Sequence, residues 1–267
     1  MTPPALVASD LDGTLLRTDR TVGPRTLDTL DRLRDNGIPF VMVTGRPIRW
    51  LAEVLAYTGP RGPVVCSNGA VIYDPAADEV LDDRPLRPEL LADVVERLRG
   101  EFPGVAFAAE TAHGLWHEPT YRVREVSPIV RVGDLRRVLA DPAVKLLAWL
   151  DHPVPDELAA SMTASLHGLA EVTRSSEDSL IEISAAGVTK ATGLARVAER
   201  YGVDPADIVA FGDMPNDLPM FAFVGQSVAM ANAEPAVRAA ARTVTASNDD
   251  EGVADYLGAL LDASPIA

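Results

Sequence analysis

The chain has 267 residues, is 47% hydrophobic, and carries 24 Lys+Arg against 39 Asp+Glu, a formal charge of -15. That length buries a sizeable core in one or two domains. The acidic excess argues against broad nucleic-acid or anionic-membrane binding, which need a basic footprint. A small anionic substrate stays open, because a cation or a few basic residues reverse the sign locally. The single cysteine, Cys66, forms no intramolecular disulfide, which fits a reducing compartment, and with four histidines it argues against a structural zinc site. The start, "MTPPALVASDLDG", lacks a basic region followed by a long apolar one, and no apolar run reaches the length of a membrane span. The expectation is a soluble cytoplasmic protein, monomer or homodimer, whose partner is a small molecule.

In chain order, "ALVAS" reads as a strand and "GPRTLDTLDRLRDNG" as a helix, with Leu27, Leu30 and Leu33 on one face and Gly37 as its stop. "IPFVMV" at 38–43 is a continuous apolar run, the pattern of a parallel strand buried on both faces. "IRWLAEVLAYTG" reads as a second helix and "PVVCSNGAVIY" as a further strand and turn. Strand–helix alternation predicts a parallel sheet with right-handed crossovers.

From Arg84 to Gly187 the pattern changes. "RPELLADVVERLRGEF" and "PDELAASMTASLHGL" read as helices, and "VAFAAE", "GLWHEP", "AVKLLAWL", "AEVTRSS" and "SLIEIS" as strands. Consecutive strands with few helices predict an α+β domain on an antiparallel sheet. Alternation then returns: helix "KATGLARVAERYG", strand "DIVAFGD", helix "NDLPMFAFV", strand "SVAMAN", helix "EPAVRAAA", strand "TVTAS" and helix "GVADYLGALL". The fold class expected is α/β: a Rossmann-like parallel-sheet core, residues 1–83 and 188–267, with an α+β domain inserted at 84–187.

Sites in a parallel α/β sheet form beyond the carboxyl ends of its strands. "ALVASDLDGTLL" places Asp10 and Asp12 at the end of the first strand. Two carboxylates so close repel each other unless a positive group sits there or one holds a proton. They also fit a plain Asp-Gly turn. The other ends tip the balance toward function: Thr44, Gly45 and Arg46 in "TGRP", Asn68 in "SNGA", then Asp213, Asn216 and Asp217 in "GDMPND", with Lys190 at a helix start. Asp10, Asp213 and Asp217 offer oxygen ligands that suit Mg²⁺. Thr44, the Gly45 backbone, Asn216 and Lys190 suit phosphate oxygens. Asp10 is then placed to attack phosphorus, and Asp12 to exchange a proton with the leaving oxygen and the attacking water.

"DLDGT", the Thr of "VTGR", the Lys of "GVTK" and "GDMPND" resemble, in order and spacing, the four motifs of the haloacid dehalogenase superfamily. "SNGA" and "GDMPNDLPMF" resemble its Cof-type sugar-phosphatase branch, which carries a large α/β cap. The resemblance covers both core segments by motif and the insert by size and position alone. It implies a Mg²⁺-dependent phosphatase working through an aspartyl-phosphate. Asp10 would be nucleophile and metal ligand, and Asp12 acid/base with its backbone carbonyl on the metal. Thr44, Gly45, Lys190, Asn216 and the Leu11 backbone N–H would hold the phosphoryl group. Asp213 would ligate the metal, and Asp217 would do so directly or through water.

Several positions read two ways. Asp217 suits the first turn of a helix as well as a metal role, Arg46 an ion pair as well as a substrate contact, and Asn68 a turn as well as a substrate-facing amide. His113 and His117 read as a hairpin arm rather than a metal site; Trp116, Trp149 and Tyr121 read as packing groups, and Cys66 as a buried strand residue. Two other functions stay open: a phosphomutase, a reading that Arg122, Arg124 and Arg131 of the insert leave open, and a non-catalytic phosphometabolite-binding protein, which has little use for Asp12.

Overall fold

Apolar runs become strands here wherever both of their faces are covered. The computed structural model describes residues 3–123, 127–174 and 179–263. The first segment runs β1 (Leu6–Ser9), α1 (Pro24–Asp35), β2 (Phe40–Val43), α2 (Ala52–Thr58), β3 (Val64–Cys66), β4 (Val71–Asp74) and β5 (Glu79–Asp83). The middle adds α3 (Pro88–Glu101), β6 (Ala106–Thr111), β7 (Gly114–His117), β8 (Val130–Val132), α4 (Leu135–Val138), β9 (Lys145–Trp149), α5 (Asp156–Ser165), β10 (Ala170–Arg174) and β11 (Leu180–Ala185). The last segment is α6 (Lys190–Tyr201), β12 (Ile208–Gly212), α7 (Leu218–Phe223), β13 (Gln226–Ala229), α8 (Pro235–Ala240), β14 (Thr243–Val244) and α9 (Gly252–Asp262). Two units result, Met1–Leu81 with Thr189–Ala267, and Asp82–Val188.

The first unit is built on an eight-stranded sheet in the order β14-β13-β12-β1-β2-β3-β4-β5. Pairing is parallel from β14 to β3 and turns antiparallel at β3–β4. β1, β2, β3 and β12 are buried along their whole length, as unbroken apolar strands covered on both faces must be. Helix α1 starts with Pro24 in its first turn, buries Leu30 and Leu33, and stops at Gly37, whose φ is +68°. Helix α6 begins with a capping box between Thr189 and Thr192 and buries Leu194, Val197 and Ala198.

The second unit carries a six-stranded sheet in the order β10-β11-β9-β6-β7-β8. Its pairing is antiparallel except for β7–β8. Leu91, Val94, Val95 and Leu98 of α3 and Met162 of α5 pack with Phe107, Leu146, Ala148, Ile181 and Ile183 of the strands. Among the described residues, no helix is long and apolar enough to cross a membrane.

Two helices expected from the sequence are shorter than their patterns. Over 48–59, Trp50 and Leu51 close i→i+3 bonds to Pro47 and Ile48, so the chain makes a 3₁₀ turn at Ile48–Trp50 before α2 begins. Over 216–224, a second 3₁₀ turn, Pro215–Asp217, precedes α7, because the Asp217 side chain is drawn back to its own turn's backbone.

Candidate active site

The site starts from strand register. β1 pairs with β12 so that Ser9 faces Phe211, and the Asp10 N–H donates to the Phe211 carbonyl at 3.0 Å. Asp10 and Asp213 therefore leave the sheet side by side. After Asp10 the chain folds back at once, with Leu15 N–H bonded to the Asp10 carbonyl and Leu16 N–H to that of Leu11. Gly13 makes this turn at φ +78°, and a Cβ there would sit 2.3 Å from Asp213 Oδ2. Only glycine meets both demands.

Lys190, in the first turn of α6, binds the centre together. Its ammonium donates to Asp10 Oδ1 and to Asp217 Oδ1, each at 2.7 Å, and all three side chains are buried. The other Asp217 oxygen accepts the backbone N–H groups of Asp213 and Met214, both at 3.0 Å. Thr14 Oγ1 donates to Asp213 Oδ1 at 2.8 Å. Asp10, Asp213 and Asp217 each present one oxygen such that all three lie within 4.8 Å of one another, the one such acidic group among the described residues.

Three buried carboxylates face one ammonium. Burial drives the Asp10 carboxyl well above its usual range; Lys190 opposes this, and Asp217 and Asp213 add to it. Burial and the neighbouring Asp217 push Asp213 up to about 6. Burial alone would lower the Lys190 pKa, but Asp10 and Asp217 outweigh it and hold the ammonium charged. The cluster is short of positive charge, and its donors are hard oxygens at converging positions. That fits a divalent cation of the Mg²⁺ type, with Asp10, Asp213 and Asp217 as the side chains to hold it.

The remaining residues group around this centre within the first unit. Thr44, at the end of β2, is buried, and its Oγ1 accepts the Arg46 N–H at 3.0 Å. Gly45 brings its Cα toward Asn68: a Cβ there would lie 3.1 Å from Asn68 Oδ1. Asn68 Oδ1 in turn accepts from Asn216 Nδ2 at 3.1 Å. Leu11 is fully buried in the turn after β1.

Asp12 stands apart. Its carboxylate is half exposed and lies outside the acidic trio, clasped by Arg46 through Nε at 2.7 Å and a second guanidinium nitrogen at 2.5 Å. These hydrogen bonds raise the Arg46 pKa further. The ion-pair reading of Arg46 is thus what the geometry shows.

Two contributors carried no role in the sequence reading. Thr14 stands inside the "DLDGT" stretch and anchors Asp213, a signal available from its place in the motif. Ser67 has a buried hydroxyl without a hydrogen-bond partner, at φ +50°. In the second unit, His117 Nδ1 bonds the Glu118 carbonyl, and Trp116 packs under the guanidinium groups of Arg137 and Arg131 at 4.1 and 5.6 Å. Arg122 and Arg131 are exposed there, and Arg124 lies outside the described residues. Cys66 is buried in β3.

A family model described as haloacid dehalogenase-like hydrolase matches residues 7–257. The chain is 33% identical over 272 residues to the 5-amino-6-(5-phospho-D-ribitylamino)uracil phosphatase YitU of Bacillus subtilis, covering 96% of this chain and 97% of that one. It is 29% identical to the pyridoxal phosphate phosphatase YbhA of Escherichia coli, covering 94% and 97%. The solved structure of BT1666 from Bacteroides thetaiotaomicron, analysed among the phosphatases of the HAD enzyme superfamily, superposes with a TM-score of 0.81 at 27% identity, covering 96% of this chain and 95% of that one. The match runs through both core segments and the insert between them, and the chain belongs to the haloacid dehalogenase-like hydrolases, Cof-type branch.

Proposed function

We propose that this chain is a Mg²⁺-dependent phosphomonoesterase that hydrolyses a small phosphorylated metabolite through an aspartyl-phosphate on Asp10. The observation that carries this is the Asp10–Lys190–Asp217 bridge beside Asp213, a buried nucleophile, ammonium and acidic trio at the carboxyl ends of β1 and β12. Phosphatase activity among the relatives supports it.

Bound Mg²⁺ supplies the positive charge that lets a phosphate dianion approach three carboxylates. Lys190 holds Asp10 in place and offers charge to the phosphoryl oxygens. Thr44, the backbone N–H groups of Leu11 and Gly45, and the Asn216 amide complete the phosphoryl cradle. A carboxylate oxygen of Asp10 attacks phosphorus, the P–O ester bond breaks, and Asp12 gives its proton to the departing oxygen. Water then attacks the same phosphorus, Asp12 takes its proton, and the bond to Asp10 breaks to release inorganic phosphate. To act, Asp12 has to turn from Arg46, which pairs with it.

The relatives act on a phosphorylated ribitylaminopyrimidine and on pyridoxal phosphate. Phosphorylated cofactors and their precursors, together with sugar phosphates, are therefore the substrates to test first. The experiment is phosphate release across that panel, with Mg²⁺ and with EDTA, using Asp10→Asn as the control. Release that needs Mg²⁺ and vanishes in a well-folded Asp10→Asn supports the reading. No release from any member, or full release by Asp10→Asn, sinks it.

A further inference from the structure

Asn68 is held in a conformation that few side chains accept. Ser67, Asn68 and Gly69 have φ of +50°, +55° and +102° in succession, directly after β3. Three left-handed residues in a row cost free energy, and such strain persists only where the surroundings fix it. Asn tolerates this region better than other residues with a side chain.

What the strain achieves is visible in three contacts. The Asn68 N–H donates to the Thr44 carbonyl at 3.0 Å, so the turn is tied to the loop after β2. The Asn68 side chain, 3% exposed, lies close against Gly45, where a Cβ would come within 3.1 Å of its Oδ1. Its Oδ1 then accepts one N–H of Asn216, in the loop after β12. In that bond the Asn216 nitrogen faces Asn68, whose Oδ1 accepts and cannot donate. Asn216 Oδ1 is buried and has no hydrogen-bond partner, so the amide is not oriented by a bond at that end.

We propose that Asn68 is a positioning residue: it spans from the Thr44–Gly45 loop to Asn216 and fixes the Asn216 amide so that its second N–H is presented to the phosphoryl group. This rests on the phosphatase reading above and adds a residue that acts through another. The backbone strain at 67–69 is the cost of bringing an amide to that point. A small displacement of a phosphate-binding donor is enough to matter, since misplacement by about 1 Å costs up to about 10²-fold in rate.

The test is a double-mutant cycle on phosphate release by the full chain with Mg²⁺. Asn68→Gly keeps the left-handed backbone available and removes only the amide, so the fold is retained. Asn68→Gly is expected to lower kcat/KM by about 10- to 100-fold, and Asn216→Ala by at least as much. The double variant should be no slower than Asn216→Ala alone, because Asn68 has nothing left to position. In the ¹⁵N spectrum, the Asn216 side-chain amide should shift in Asn68→Gly. Losses that multiply in the double variant would show that Asn68 acts on substrate independently. Wild-type rates with Asn68→Gly, or an unmoved Asn216 amide, would overturn the proposal. Should Asn68→Gly unfold, the wild-type chain is read instead: one Asn216 side-chain amide proton should be protected from exchange by the bond to Asn68 and the other should shift when inorganic phosphate is added with Mg²⁺, and an unprotected pair or an unmoved second proton would overturn the proposal. A wild type without phosphatase activity would instead refute the parent reading, and the two failures are distinct.

Discussion

Lys190 donates to Asp10 across 2.7 Å although 180 residues separate them in the chain. The same ammonium bridges to Asp217, so two buried carboxylates share one cation. Removing one partner of a buried ion pair typically costs about 3–5 kcal/mol, because the other charge stays buried and unpaired. Lys190→Ala should lose stability in that range in urea unfolding with EDTA present, regain part of it when Mg²⁺ is added, and release no phosphate. A Lys190→Ala variant as stable as wild type in EDTA would show that the bridge contributes nothing.

The pH dependence of stability follows from Asp213, whose carboxyl is raised from its ordinary 3.8 to about 6. The folded state therefore holds this proton more tightly than the unfolded state does. Its contribution is full below about pH 4, falls as pH rises toward about 6, and is absent above. In EDTA, the urea midpoint should drop across that window relative to Asp213→Asn. Saturating Mg²⁺ should flatten the drop, since a cation favours the ionised form. A wild-type profile parallel to that of Asp213→Asn in EDTA would contradict the electrostatic account.

Asp12 and Asp10 should separate by leaving group. A sugar alkoxide needs a proton as it departs, whereas a nitrophenolate leaves largely unaided. General acid/base assistance is worth about 10²–10⁴-fold, so Asp12→Ala should slow phosphorylation by a sugar phosphate far more than by nitrophenyl phosphate. The phosphoenzyme on Asp10 should also persist longer, because the second step loses its base. Rapid-quench trapping times the two steps separately. Equal slowing of phosphorylation for both substrates, without phosphoenzyme build-up, would make Asp12 a structural residue and its Arg46 pair the whole of its role.

Gly13→Ala places a Cβ 2.3 Å from Asp213 Oδ2 and forces a left-handed backbone on alanine. The fold should survive with Asp213 displaced, and kcat/KM should fall by about 10²-fold with a higher Mg²⁺ requirement. Metal titration of activity reads both effects. An unchanged Mg²⁺ requirement would mean that Asp213 is not held by the shape of this turn.

The strands that carry the site were legible because parallel strands buried on both faces are written as unbroken apolar runs, as in "FVMV" and "IVAFG". The motif residues at strand ends were legible because each follows such a run, and Lys190 was legible from its motif at a helix start. What escaped depends on side chains meeting across the fold. Nothing in "TGRP" says that Arg46 clasps Asp12, and "DLDGT" marks Thr14 as a motif residue without naming Asp213 as its partner. β8 escaped for another reason: "VRV" is three residues long, exposed at two of them, and pairs in parallel with β7. The break in the helix over 48–59 was hidden because an i→i+3 turn uses the same residues an α-helix would.

β1 lies between β2, which follows it closely, and β12, which is made near the end of the chain. On the ribosome, β1 and β2 can pair while the far edge of β1 still has no partner, for as long as it takes to synthesise the insert. An unbroken apolar edge is a template for pairing with another chain. The same topology delays the crowding of charges: Asp10 meets Asp213 and Asp217 only when β12 closes the sheet, and Lys190 is synthesised before either. The counter-charge is thus available before the repulsion it must offset, and β12, when it docks, both covers the free edge of β1 and assembles the acidic trio.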